Sequence, residues 1–342
     1  MAKAFGTDPI ALVCDALTDD LAGVSVRAVA RREPAEHEAL IEVRAAALNF
    51  PDLLMTRGGY QHRPEVPFVL GMEGAGRILA LGSPASARFR VGDRVVFHGK
   101  TGACATQACV STDALAPAPA AFDDAQAAAY HVGATTAWAA LVERGRLGAG
   151  ESLLVHGASG GMGMAAVQLG IRLGARVLAT ARSRVAHARL SALGVESVIV
   201  PEPGWHEQVK SLTQGRGVDL IFDPVGGETF DGSLHAAAWG GRILIVGFTA
   251  GTAAQMPTNR ALIKNLTILG VRAGEMGRRD ASLGQRMDRA VRALARHADM
   301  APIIGGRYTL ADGLQALRAL RDRTHPGKIV IEPRTTEETD HE

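Results

Sequence analysis

Residues 152–156 form a short apolar run that passes directly into Gly157-Ala-Ser-Gly-Gly-Met-Gly163, and a helix-periodic segment follows over residues 162–173. A strand feeding a glycine-dense turn that opens a helix is the start of a βαβ unit. The alternative is a tight turn without a ligand. Aligned on its end, the turn reads Ala158-x-Gly160-x-x-Gly163, a variant of the dinucleotide fingerprint. Gly160 would let the backbone approach a pyrophosphate, and Gly163 would allow close helix–sheet packing. The free N–H groups and the positive helix end would hold the phosphates. Ala158, Ser159, Gly160, Gly161, Met162 and Gly163 are therefore candidate cofactor-binding residues.

The sequence downstream repeats this alternation. Apolar strands are expected at residues 176–181, 197–200, 218–223, 242–247 and 267–271, with helical segments between most of them. Strands without polar alternation are buried on both faces, so the expected class is α/β, a Rossmann-type doubly wound parallel sheet. Residues 1–125 read differently, as short strands with frequent Gly and Pro turns, an irregular β-rich domain. Near the end, helices are expected at residues 286–297 and 312–321 and a short strand at residues 328–331, which could complete the N-terminal β domain. The expected division is residues 1–125 plus 268–342 for the β-rich domain, with a nucleotide-binding domain at residues 126–267 inserted into it. Residues 333–342 are polar and mostly acidic and read as a frayed tail.

Composition excludes several classes. With 47% hydrophobic and 21% charged residues, the 342-residue chain can build a core and is not disordered. Its 37 basic and 35 acidic residues leave a net charge of +2, without the basic excess of a nucleic-acid binder. No signal peptide or membrane-length apolar run occurs; the charge-free residues 125–142 read as a buried helix of small residues. Three cysteines make no disulfide framework and favour a cytoplasmic location.

The end of the second parallel strand carries the signal for the type of dinucleotide. A site for NAD places Asp or Glu about 20 residues past the turn, on the ribose hydroxyls. Here no acidic residue lies between Gln168 and Glu196, and the strand ends Thr180-Ala-Arg182-Ser183-Arg184. Two guanidiniums and a hydroxyl suit a 2′-phosphate, which an acid would repel, so NADPH is expected over NADH. The alternative is that Arg182 and Arg184 only face solvent at a helix start.

Several motifs together resemble the zinc-free quinone oxidoreductase branch of the medium-chain dehydrogenase/reductase superfamily, over about residues 25–332. They are Ala47-Leu-Asn-Phe-Pro-Asp-Leu-Leu54, Pro67-Phe-Val-Leu-Gly-Met-Glu-Gly-Ala-Gly76, Val91-Gly-Asp-Arg-Val95, the glycine turn, Asp219-Leu-Ile-Phe-Asp-Pro-Val-Gly-Gly227, Gly240-Gly-Arg-Ile-Leu-Ile-Val-Gly-Phe248 and Gly327-Lys-Ile-Val330. The resemblance implies a GroES-like β domain with an inserted Rossmann domain, usually a homodimer. It implies reduction of a quinone or another α,β-unsaturated carbonyl by NADPH.

Zinc-dependent relatives place a Cys ligand where this chain has Asn49 and a His ligand where it has Met72. Neither side chain suits such a site, and Cys14, Cys104 and Cys109 lack the spacing of a four-Cys structural loop, so no metal is expected. Without zinc, the oxyanion that develops on a reduced enone needs hydrogen-bond donors. The resemblance places Asn49 near the nicotinamide, supported by Asp52. Tyr60 either brings its hydroxyl to the cleft or packs as a loop aromatic. Leu54 stands where the family often has Tyr. Further cofactor contacts implied by position are Thr136, Val225, Gly247 and Phe248. Lys328 either reaches the cofactor or is a surface lysine ahead of a strand. His131 has no assigned role, and no acid–base dyad is evident, so solvent is the expected proton source. Two other readings stay open: an enoyl-CoA reductase acting on acrylyl-CoA-like substrates, and a non-catalytic NADPH-binding protein.

Overall fold

The computed structural model describes residues 8–82 and 88–333, so most of the polar tail lies outside the described residues. The chain divides into two units, Met1–His131 with Ala301–Glu342, and Val132–Met300.

The first unit begins with β1 (Ile10–Cys14), β2 (Val24–Ala28), β3 (Glu38–Leu48), the short α1 (Phe50–Met55), β4 (Phe68–Val69), β5 (Glu73–Leu81), β6 (Arg94–His98), β7 (Gln107–Ser111) and β8 (Leu115–Pro117). β1 pairs antiparallel with β2 and β4 in a small sheet. A larger sheet forms around the eleven-residue β3, which pairs antiparallel with β5 between Ala39 and Ala47 and with β7 between Glu38 and Glu42. The glycines of β5 are dictated by packing. A Cβ on Gly74 would lie 2.9 Å from Phe97 Cε1, and one on Gly76 would strike the backbone of Glu42. Helix α2 (Asp124–Trp138) follows, with its alanines largely buried, as expected of a helix rich in small residues. A π-helical turn at Ala139–Arg144 continues it.

The second unit holds β9 (Ser152–Val155), α3 (Gly161–Arg172), β10 (Arg176–Thr180), α4 (Arg184–Ala192), β11 (Ser197–Ile199), α5 (Trp205–Leu212), β12 (Val218–Asp223), α6 (Glu228–Ala236), β13 (Ala237–Ile245), α7 (Thr258–Lys264), β14 (Thr267–Gly270), α8 (Ala273–Arg279) and α9 (Ala281–Leu294). Its six strands are all parallel, in the order β11-β10-β9-β12-β13-β14. This is the doubly wound order, with its switch point between β9 and β12. β9 is buried at all four positions, as its unbroken apolar run requires. Leu154, Leu178, Ile221 and Ile243 form the centre of the core with Trp205 and Phe230.

The chain then returns to the first unit as β15 (Ile304–Thr309), α10 (Gly313–Asp322) and β16 (Lys328–Glu332). β16 pairs antiparallel with β3 and so completes the larger sheet. The insertion expected from sequence is thus present, but its end differs. The expected boundary at residue 268 cuts β14, the outer strand of the parallel sheet. Residues 271–300 also belong with that unit, for reasons visible only in side-chain contacts. Gln168 on α3 donates to Asp299 O (2.8 Å), and Arg172 pairs with Asp299 at 3.1 Å. Arg286 on α9 meets Glu143 at 3.1 Å. At the other end the unit starts at Val132 rather than at residue 126. No helix among the described residues is long and apolar enough to cross a membrane.

Candidate active site

Two groups of predicted residues come together, one in each unit. In the parallel-sheet unit the glycine turn lies between β9 and α3. Gly157 has φ +58°, a left-handed conformation that glycine adopts freely. A Cβ on Gly163 would sit 2.7 Å from Ala158 Cα, so this position requires glycine for α3 to fold back onto its own turn. Gly160, the N-cap of α3, is different: the nearest protein atom to its missing Cβ is Gly157 O at 3.5 Å. The space in front of Gly160 is left open by the protein, as backbone approach by a phosphate demands. Helix α3 itself rides close on the sheet at Gly170, whose Cβ would meet Leu153 Cδ2 at 2.6 Å, a contact the fingerprint alone did not reveal.

Beneath the turn, His156 is fully buried and hydrogen-bonded to Thr180 Oγ1 (3.1 Å) and Ser233 Oγ (2.9 Å). Burial pulls its pKa down to about 4, against a smaller opposing pull from Asp223, so the ring stays neutral and ties β9 to β10 and α6. At the end of β12 the Asp223 carboxylate accepts from Val225 N (2.8 Å) and Gly226 N (2.9 Å), which fixes the turn carrying Val225. Gly247 follows β13 with its missing Cβ 3.3 Å from Pro224 O, and Phe248 beside it is half exposed. Thr136 spends its hydroxyl on Val132 O (2.8 Å). Arg182, Ser183 and Arg184 lie exposed at the start of α4. Ser183 is its N-cap and accepts from Ala186 N at 3.1 Å, which leaves its O–H to donate. Among the described residues neither arginine has an ion-pair partner.

In the β-rich unit, the predicted Asn49, Asp52 and Lys328 meet around Glu73, a residue inside a family motif to which sequence reasoning gave no role. The Lys328 ammonium donates to Asn49 Oδ1 (2.7 Å), Glu73 Oε1 (2.8 Å) and Leu48 O (3.3 Å). Its three N–H donors thus all have acceptors, and both members of the ion pair are buried, with side chains 7% and 1% exposed. The reading of Lys328 as a surface lysine is therefore incorrect, because β16 brings it beside Asn49 at the edge of β3. Since an ammonium only donates, it also fixes the Asn49 amide: Oδ1 faces Lys328, and Nδ2 donates to Glu73 Oε1 at 3.0 Å. The second Nδ2 hydrogen has only a long contact, 3.4 Å to Ala47 O.

Asp52 lies below and is fully buried. Its two carboxyl oxygens accept from Asn49 N (2.8 Å) and Gly71 N (3.0 Å), so it fixes the backbone at the start of α1. Burial pushes its pKa up to about 7, opposed by those two hydrogen bonds and by the Lys328 charge. With no exposed surface, Asp52 can reach a ligand only through the residues it holds. Tyr60 is partly buried and packs against the core of this unit.

The donor set does not suit zinc. At the two relevant positions, Asn49 Oδ1 is engaged by an ammonium and Met72 packs against the apolar core. Glu73 already neutralises Lys328, and the thiol of Cys104 is buried with its pKa pushed up by desolvation. Among the described residues no three His, Cys, Asp or Glu side chains are grouped to hold a metal ion.

A Rossmann sheet with an open glycine turn and a GroES-like β unit, joined in one chain, define a dehydrogenase or reductase of the medium-chain type. Residues 35–142 match the alcohol dehydrogenase GroES-like domain family, and residues 161–301 match the zinc-binding dehydrogenase family. The chain is 30% identical over 294 residues to a quinone oxidoreductase-like protein 2 homolog of Nematostella vectensis, covering 85% of this chain and 80% of that one. It is 32% identical over 322 residues to part of a phenolphthiocerol/phthiocerol polyketide synthase of Mycobacterium tuberculosis, 91% of this chain but 14% of the synthase. Its structure is similar to that of mycobacterial Rv1454c complexed with NADPH, with a TM-score of 0.86, 27% identity, and 95% and 100% of the two chains covered. The chain belongs to the quinone oxidoreductase branch of the medium-chain dehydrogenase/reductase superfamily, and it is an oxidoreductase with a nicotinamide-binding fold.

Proposed function

We propose that the protein is an NADPH-dependent reductase that transfers a hydride to a quinone or another α,β-unsaturated carbonyl without zinc. The observation that carries this reading is the Lys328–Glu73–Asn49 group: a fixed protein cation and an oriented amide would take the part that a metal plays in zinc-dependent relatives. Bound at the glycine turn, a reduced nicotinamide supplies a hydride to carbon. Ala158, Ser159, Gly160, Gly161, Met162 and Gly163 would hold its pyrophosphate, and Arg182, Ser183 and Arg184 its 2′-phosphate. Thr136, Val225, Gly247 and Phe248 would line the nicotinamide end. Asn49 would turn its weakly held Nδ2 hydrogen toward the developing oxyanion, where a preoriented donor acts most strongly. Enoyl-CoA esters, the alternative acceptors raised by the sequence, belong in the same test.

A homodimer is proposed on the same basis. β14 forms the outer edge of the parallel sheet, and Leu262 (83% exposed) and Ile263 (68%) lie on the neighbouring α7. Its three cysteines are free, which supports a reducing, cytoplasmic setting.

The decisive experiment follows NADPH absorbance with 1,4-quinones, 2-alkenals and short enoyl-CoA esters, alongside metal analysis of the purified protein. Turnover of a quinone or alkenal at substoichiometric zinc is expected. Tight NADPH binding with no turnover of any acceptor would leave the binding-protein reading instead, and one zinc per chain would overturn the role given to Lys328.

The two glycines of the turn separate folding from binding. Gly160→Ala is expected to keep the thermal midpoint within about 2 °C, because its Cβ would meet no protein atom closer than 3.5 Å. Its nicotinamide affinity, read by fluorescence titration, is expected to fall by about tenfold or more, since the methyl takes up space left for phosphate. Gly163→Ala, whose Cβ would strike the backbone of residues 157 and 158, is expected to lower both. Identical behaviour of the two variants would refute this division of labour.

A further inference from the structure

The reduction of an enone needs a proton as well as a hydride, and neither Asn49 nor the fully engaged Lys328 ammonium supplies one. A pair of histidines beside them has no other assigned work. His98 ends β6 and lies directly opposite Glu73 in the antiparallel ladder with β5. Opposed residues share a face, and side chains alternate along a strand. Phe97 and Gly74, the neighbouring pair, point to the apolar core, so His98 and Glu73 point away from it, to the side that carries Asn49 and Lys328. His131 on α2 stacks on His98 with ring centroids 3.8 Å apart and planes inclined by 14°. Both rings are half-buried.

Stacked imidazoles at this distance tolerate one proton and resist a second, because two cationic rings would repel across a partly desolvated gap. The ionisable groups on the surrounding elements are Glu73 on β5, neutralised by Lys328 on β16, Asp52 on α1 and Lys100 in the loop after His98. Imidazole is also the side chain best suited to exchange a proton near neutral pH.

We propose that the His98–His131 stack is the proton donor of the reaction, acting on α,β-unsaturated carbonyl substrates; this rests on the reductase reading above. Hydride addition at the β-carbon breaks the C=C π bond and moves an electron pair onto the conjugated oxygen as an enolate, with a reduced nicotinamide oxidised in the same step. The α-carbon then takes the proton from the singly protonated imidazole pair. An N–H bond breaks, a C–H bond forms, the pair becomes neutral, and water restores its proton.

The test combines variants with a readout that needs no turnover. In nuclear magnetic resonance of the wild-type protein without ligands, the ring C–H signals of His98 and His131 are expected to titrate in two separated steps. Each of His98→Phe and His131→Phe is expected to leave the other ring with a single step. Coincident, independent titration in the wild type would overturn the shared-proton pair. With a 2-alkenal in heavy water, the wild-type enzyme is expected to place deuterium on one face of the α-carbon. The variants should lose that selectivity and about 100-fold or more in kcat, with the dissociation constant for NADPH, read by fluorescence, within about twofold as the sign of correct folding. His98→Gln and His131→Gln serve if a phenylalanine variant does not fold. Retained selectivity and kcat in folded variants would assign the proton to another source. If the wild-type protein reduces no acceptor at all, the reductase reading itself fails, and this proposal falls with it.

Discussion

Replacing Arg182 and Arg184 together with alanine is expected to raise the Michaelis constant for NADPH by about 100-fold while that for NADH stays within about twofold. Both guanidiniums are exposed at the start of α4, and no acidic side chain lies in sequence between Gln168 and Glu196 to bind ribose hydroxyls instead. A hydrogen bond from a charged donor contributes roughly 1.5–3 kcal/mol. Solvent screening at an exposed turn keeps each arginine near the lower end. Two such bonds then correspond to about two decades in affinity. NADH lacks the phosphate and loses nothing comparable. Neither arginine has an ion-pair partner among the described residues, so the thermal midpoint should barely move. Steady-state kinetics with both cofactors decides the matter: equal losses for NADPH and NADH would mean that the arginines do not select the 2′-phosphate. Ser183→Ala is the less clean variant, because its hydroxyl also caps α4 through Ala186 N.

The parallel-sheet unit was legible because its information is local. A strand buried on both faces reads as an unbroken apolar run, and β9, β10, β12 and β14 begin where those runs begin. β13 starts at Ala237, five residues before the expected Arg242, because the run through Trp239-Gly-Gly241 looks like a turn until β12 pairs with it through a bulge. The glycine turn was also legible, but Gly163 packs against residues 157 and 158 of its own turn rather than against the sheet, which α3 approaches at Gly170. The unit's end was not. Nothing near residue 268 signals that the next thirty residues stay with the sheet, since the contacts responsible join Gln168 and Arg172 to Asp299, about 130 residues away. The other half of the site shows the same limit. Asn49, Asp52 and Lys328 could be picked out by motif, yet Glu73 gained a role only when sheet register set it between Asn49 and Lys328, 255 residues away from the latter. His98 and His131 carry no motif, and only the β5–β6 ladder and the position of α2 bring their rings into contact.

The buried ion pair is where a single substitution should act most strongly on stability. Lys328→Met removes the ammonium that lies 2.8 Å from the Glu73 carboxylate, whose side chain is 1% exposed. Removing one member of a buried pair leaves an uncompensated charge and typically costs about 3–5 kcal/mol, and a large fall in the urea midpoint is expected. Glu73→Gln in the same chain removes the stranded charge, and Lys328→Met/Glu73→Gln should therefore regain more than half of the loss. A double variant whose loss equals the sum of the losses of Lys328→Met and Glu73→Gln measured singly would show that the lysine contributes through packing rather than charge, because the coupling measured by the cycle would vanish. Catalysis should respond differently. With the ammonium gone, Asn49 Oδ1 loses the donor at 2.7 Å that fixes which way the amide points, and a glutamine amide in place of the Glu73 carboxylate can present a donor to Nδ2 where only an acceptor fits. kcat is therefore expected to stay low in the double variant although stability returns, while the dissociation constant for NADPH changes little. Recovery of both together would reduce Lys328 to a structural residue. Recovery of stability alone is what a fixed cation that orients the Asn49 amide requires.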